Sequence, residues 1–288
     1  MKIETPEGFS LFGEPLYNPV SYPDPENKQL IKFNQAYIEW EKAPENRENI
    51  LWLGRQHAYM GKYRDAIHIF TEALKKFPDD PEFLRHRAHR YLSLRMFDHS
   101  TRDSERAVVQ MLKKPDFMEP SGLAGAEQTT EYTFYTNTYY HLGLGYMLKG
   151  DLLNARKAFY DLLKVGVNDD HTIMSVYWLF IILKRLGYNK ETTTLLENIK
   201  PDMKCPVSKG YYECIRMFKG EIQPETLLEQ EEGQLSIVTS GFGIANQYKI
   251  RGDYTKYVEI LEKILATNAW SGFGYISAEV DMKRILGI

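Results

Sequence analysis

The chain has 288 residues, 43% of them hydrophobic, and a formal net charge of −3 at pH 7. That balance supports a large folded core and argues against a nucleic-acid binder, which would need a basic face. The longest apolar run, Val176–Leu183, is too short to span a bilayer, and Cys205 and Cys214 lack CxxC spacing and read as reduced thiols.

The first ten residues, MKIETPEGFS, hold no apolar stretch that an export machinery would read. The expectation is a cytoplasmic protein, or an exported one if a signal peptide has been removed. Residues 1–25 carry five prolines, Pro6, Pro15, Pro19, Pro23 and Pro25, among the aromatics Phe9, Phe12, Tyr17 and Tyr22. Proline at that density forbids a helix, yet the aromatics are too many for a free tail, which predicts an extended arm pinned to the fold. Residues 26–46 read as a capping helix with Leu30, Ile31, Phe33, Tyr37 and Trp40 on one broad face.

From there a period takes over. Gly54 and Ala88, Tyr63 and Phe97, and Ala73 and Ala107 all share one spacing. It is the length of a helix–turn–helix unit of the kind that stacks into arrays, roughly 34 residues. Ile50-x2-Leu53-Gly54-x2-His57 gives a first helix, and Gly61-Lys62-Tyr63 gives a turn. Ala66-x3-Phe70, Ala73 and Pro78 give a second helix and its stop. The letters return as Tyr139-x2-Leu142-Gly143-x2-Tyr146, then Gly150-Asp151, then Ala155-x3-Phe159. Small residues in this pattern mark where helices touch, and large ones fill the space between hairpins.

Two repeats occupy 47–108, the second weakened by Arg87 and Ser100 at apolar positions. From Ala88 to Gly143 the spacing exceeds one period by more than half of another, which places an inserted and ordered loop at 109–130. Repeats three and four occupy 131–201, the third opening on a first helix about one turn longer than the template. Degenerate repeats five and six fill 202–267, and a closing helix lies in 268–288. No strand is expected in the array, and Gly272-Phe273-Gly274 is expected to allow close helix packing or to start a helix.

In these motifs the chain resembles the tetratricopeptide-repeat (TPR) family over most of residues 47–267. The resemblance implies an all-α fold, a right-handed α-solenoid (superhelix) of about six helical hairpins with capping helices, whose first helices line a concave groove. It also implies a non-catalytic scaffold that binds a protein or peptide partner, without a cofactor or metal. Its groove positions correspond here to Arg55, Tyr59, Arg85, His86, His89, Asn137, Tyr140, His141, Tyr177 and Trp178.

Arginine, histidine and aromatics on one face make bidentate and stacking contacts, so the expected ligand is a peptide or small molecule with a negative or aromatic group. Other readings compete with this one, among them a purely structural subunit whose outer faces are interfaces. The cluster could pair with Glu48 and Glu82 and merely solvate the wall, or it could serve an enzyme acting on a phosphorylated or carboxylated substrate. A subset of the family clamps the C-terminal carboxylate of chaperone tails with a lysine, asparagine and arginine set. The matching positions here are Leu51, Arg55, His86, Asn137 and His141, so that recognition is not expected.

His86, His89 and His141 share a face, but Arg85, Arg87 and Arg90 would repel a cation, and no metal is expected. No nucleophile motif or phosphate loop is present. The arm or the 109–130 loop could itself lie in the groove, leaving the protein self-occupied until a partner displaces it.

Overall fold

The computed structural model describes residues 5–20, 24, 26–125, 132–229 and 234–288. Among them the fold is all-α, fourteen helices with a single two-stranded pairing, as expected of stacked helical hairpins. The chain forms two compact units, Met1–Gly145 and Tyr146–Ile288. No described helix is long and apolar enough to cross a membrane.

Unit 1 begins with the arm, which is not wholly extended: β1 (Gly8–Phe9) pairs antiparallel with β2 (Pro15–Leu16). Its described part packs on the turn ends of the first hairpins. The Glu7 carboxylate accepts from the Arg64 amide at 2.9 Å, and Asn18 donates to the Met60 carbonyl at 3.0 Å. Five helices follow, α1 (Lys28–Lys42), α2 (Arg47–Tyr59), α3 (Tyr63–Lys76), α4 (Pro81–Ser93) and α5 (Phe97–Met111).

The period is visible in the caps as well as in the core. Asn46 accepts from the amides of Glu48 and Asn49, and one period later Asp80 accepts from those of Glu82 and Phe83. Each satisfies amide donors that the first helical turn leaves open. Pro81, at the first helical position after Asp80, loses no hydrogen bond there. Between helices the chain needs a left-handed residue, supplied by Gly61 (φ 71°) and Gly150 (φ 89°), but by Arg95 (φ 62°) one period after Gly61. The unit 1 core gathers Leu51, Ala66, Phe70, Ala73, Phe83, Leu84 and Ala107 from α2 to α5.

The sixth helix, α6 (Phe134–Lys149), has 16 residues against 13 in α2 and α4, and the boundary between the units falls within it. Unit 2 continues with α7 (Leu152–Val165), α8 (Asp169–Leu186), α9 (Asn189–Leu196), α10 (Lys209–Phe218), α11 (Pro224–Glu229), α12 (Gln234–Arg251), α13 (Tyr254–Leu265) and α14 (Phe273–Leu286). In α8 every residue from Ile173 to Leu183 is buried, which makes it the central helix of this unit. Arg185 of α8 reaches Asp281 of α14 at 3.0 Å and Asn246 of α12 at 2.9 Å, while the Tyr257 hydroxyl of α13 donates to Asp281 at 2.8 Å. One buried carboxylate thus ties three helices together, and Arg185 carries the link to α12. Gly272 caps the start of α14, and Gly274 lies directly against the backbone of Val238.

Candidate functional site

Eight of the ten residues singled out in the sequence lie together on the first-helix face of unit 1. Arg55 and Tyr59 come from α2, Arg85, His86 and His89 from α4, and Asn137, Tyr140 and His141 from α6. The other two do not join them. Tyr177 and Trp178 are fully buried in the unit 2 core, where Tyr177 stacks on Tyr211 at 4.2 Å and Trp178 on Phe159 at 6.2 Å. Their helix is surrounded on all sides, so these rings have no open face to offer.

The face in unit 1 is not an empty wall. The loop after α5 returns across it and inserts Glu119, whose carboxylate lies 2.8 Å from Arg85, 3.1 Å from His86 and 3.9 Å from Arg55. Asn137 donates to the same carboxylate at 2.8 Å. Arg55, Arg85, His86, Glu119 and His141 are only 4–7% exposed. Glu48 and Glu82 do not serve the cluster as counter-ions; both pair with Arg47. Among the described residues, the carboxylate in front of Arg85 and His86 is the chain's own Glu119.

The hydrogen bonds fix the protonation of His86. Arg85 can only donate, so His86 Nδ1, 2.8 Å away, is the acceptor, and Nε2 carries the proton given to Glu119. Burial is the main cause that holds His86 well below the usual imidazole range, with Arg85 adding to it. Burial acts likewise on His89 and brings His141 down to about 3. The rings of His89 and His141 lie 4.0 Å apart, and His141 Nδ1 donates to the Asn137 carbonyl at 2.6 Å. For Glu119 burial alone would raise the pKa, but Arg85, His86 and Arg55 together hold it far below the usual carboxylate range. The cluster is therefore an ionised carboxylate held by arginines beside neutral histidines. Among the described residues no group of three or more His, Cys, Asp or Glu is placed to hold a metal ion.

Beyond Glu119 the loop runs along α2 and α1 and is held by its backbone. Arg55 donates to the Pro120 carbonyl at 2.6 Å, and Gln56 donates to the Gly122 carbonyl at 3.2 Å. Gln29 of α1 lies 2.7 Å from Gln56 and accepts from the Ala124 amide at 2.9 Å, and Lys32 donates to the Leu123 carbonyl at 3.2 Å. A Cβ at Gly122 would stand 2.3 Å from the Tyr59 ring and 3.2 Å from Trp52, so any side chain there would have to push the Tyr59 ring aside. The Arg55 guanidinium, 4.2 Å over the Trp52 ring, completes the floor.

The base of the loop is fastened separately. Phe134 and Glu119 donate to the carbonyls of Phe117 and Tyr132, and Asp116 accepts from the Tyr135 amide. Residues 126–130, which complete the predicted insertion, and residue 131 lie outside the described residues. Sequence reasoning did not find Gln29, Lys32, Gln56, Glu119 or Gly122. The only signal for them was the insertion itself, the excess over one period between Ala88 and Gly143.

Helical hairpins that follow one another at a constant period define a helical-repeat protein. Residues 47–90, which cover α2, α3 and most of α4, match the tetratricopeptide repeat (TPR) family. A solved TPR protein from Parabacteroides merdae ATCC 43184 shares the fold, at TM-score 0.50 and 14% identity over 85% of this chain and 90% of that one. Two others are similar at lower TM-scores. YrrB, described as a TPR protein with an unusual peptide-binding site, gives 0.46 at 11% identity, over 86% of this chain and 97% of that one. A thermophilic TPR protein of Thermus thermophilus gives 0.41 at 18% identity, over 84% of this chain and all of that one. No curated protein matches the chain.

Proposed function

We propose that this protein is a non-catalytic scaffold that recruits a polypeptide partner on the first-helix face of unit 1. One observation carries the reading: a stretch of polypeptide, Glu119 to Ala124, already lies on that face, held through its backbone and one acidic side chain. Side chains that grip carbonyls and an amide without regard to side-chain identity are what a peptide receptor requires. A small-anion binder or an enzyme built on the same arginines and histidines would need the position that Glu119 fills. His86 and His141, the groups best suited to proton transfer, are committed as donors to Glu119 and to a backbone carbonyl.

The test is a photo-crosslinking amino acid in place of half-buried Tyr59, beside Gly122, with exposed Tyr254 of unit 2 as control. The reading expects a small set of polypeptides joined through position 59 and absent from position 254. No polypeptide adduct at 59, or the same adducts at both positions, contradicts it.

A further inference from the structure

Four elements of unit 1 converge on six residues of the loop, and they read those residues in two ways. Glu119 is recognised by its charge, through Arg85, His86, Arg55 and Asn137. Gly122 is recognised by its lack of a side chain, against Tyr59 and Trp52. The positions between and beyond them are read only as backbone: Pro120 and Leu123 are exposed, Ser121 and Ala124 half-buried. The pattern is an acidic residue followed three positions later by glycine, with the chain turning just after it.

Little apolar surface holds this segment down. Its anchors are hydrogen bonds and one ionic cluster, and net contributions of such contacts are modest because water replaces them on release. On release, the arginines and Glu119 would regain hydration rather than stay buried and unpaired. The buried pair Gln29 and Gln56 supplies an acceptor for an incoming amide and donors for an incoming carbonyl without any change of partner chemistry. Such a site is suited to exchange one segment for another.

We propose, resting on the recruitment reading above, that Glu119–Ala124 is a tethered stand-in for the partner, and that the partner is an acidic peptide with a Glu-x-x-Gly pattern that competes for the same face. A tethered segment competes at an effective concentration on the order of millimolar, so it sets a threshold that a free peptide must exceed. The partner therefore needs the same acid and the same glycine plus contacts that the resident segment lacks. Exposed Phe117 and Met118 at the edge of the site offer apolar surface for such contacts.

The experiment uses the full chain in two forms, one natural and one with residues 119–124 replaced by a Gly/Ser stretch of equal length. The probe is a fluorescent peptide copying residues 116–125, Asp-Phe-Met-Glu-Pro-Ser-Gly-Leu-Ala-Gly, read by polarisation. The replaced form should bind it at least about tenfold more tightly than the natural one, since it lacks the tethered competitor. A peptide with glutamine for its glutamate, or valine for its glycine, should lose most of that binding. Should the replaced form not fold, Glu119→Gln, which removes only the charge that holds the segment, carries the same comparison.

Equal binding to both forms, or none to a folded replaced form, overturns the proposal. Equal binding of the glutamine peptide overturns it too. Failure here with specific adducts at position 59 would mean that the face recruits a partner of other chemistry, whereas failure of both removes the recruitment reading itself.

Discussion

Glu119, Arg85 and Arg55 show what a buried charge demands of its neighbours. Removing one partner of a buried ionic group leaves the others desolvated and unpaired, which typically costs about 3–5 kcal/mol. Glu119→Gln keeps the shape and removes the charge; because the loop can lift away and let the arginines regain water, it should lower the stability of unit 1 by only about 1 kcal/mol in a urea titration. The histidines set a pH dependence of known sign. His86, His89 and His141 are held below the usual imidazole range, so an unfolded chain binds protons on these rings below pH about 6.5 while the folded chain does not. Stability should fall as pH drops from about 6.5 towards 3, by at most about 1.4 kcal/mol per pH unit for each ring. Glu119, also depressed, adds to the loss once the unfolded carboxyl begins to protonate, near pH about 4.3. A melting temperature that stays level between pH 7 and pH 5 would contradict this account.

Arg95 is the opposite case, a residue whose backbone pulls against its side chain. A non-glycine residue in the left-handed region costs on the order of 1 kcal/mol. Arg95→Gly gives up the hydrogen bond to the Ser93 carbonyl and still should raise stability by about 0.5–1 kcal/mol. Thermal unfolding of the single variant checks it.

At the scale of elements, close contact between helices depends on where side chains are absent. A Cβ on Gly274 would lie 1.8 Å from the Val238 carbonyl oxygen, a backbone atom that cannot rotate away. Gly274→Ala should therefore force α14 off α12 and cost unit 2 about 3 kcal/mol, seen as a lowered denaturant midpoint.

The repeats were legible in the sequence because each helix pair repeats one packing problem at one spacing. Repeat two looked weak on account of Arg87, and the structure supplies the reason: Arg87 pairs with Asp103 through two bonds of 2.6 and 2.9 Å, an ionic contact in place of an apolar one. The loop was legible as an insertion and not as a site. Glu119 meets Arg85 only because the chain turns back over the face, and no local pattern around an acidic residue in a loop announces a partner a full period earlier in the chain. Gln29 and Gln56 are neutral and carry no periodic signature, so their pairing was invisible. Tyr177 and Trp178 failed the other way: the template position was right for a first helix, but α8 is enclosed on every side.

Of the two units, the first has a core around Phe70 and Phe83, and the second is built on α8 with Phe159, Phe242 and Tyr257. A perturbation of the loop should stay within unit 1. Hydrogen exchange on Glu119→Gln should accelerate in α1, α2 and α4 and leave α12 and α13 as they are, since their cohesion rests on Asp281 and its partners. The function proposed for the whole likewise rests on unit 1, where backbone-reading side chains and a charge-reading cluster meet on one face.

The measurement that bears most directly on that claim is native-state hydrogen exchange at the Ala124 amide, which donates to Gln29. The account predicts protection that is lost through a local opening, at a free energy well below that of the α2 amides, and lost sooner in Glu119→Gln. Exchange only with global unfolding would make the segment a permanent part of the core, and no protection at all would mean that it does not dock; either result would contradict a tethered, exchangeable occupant.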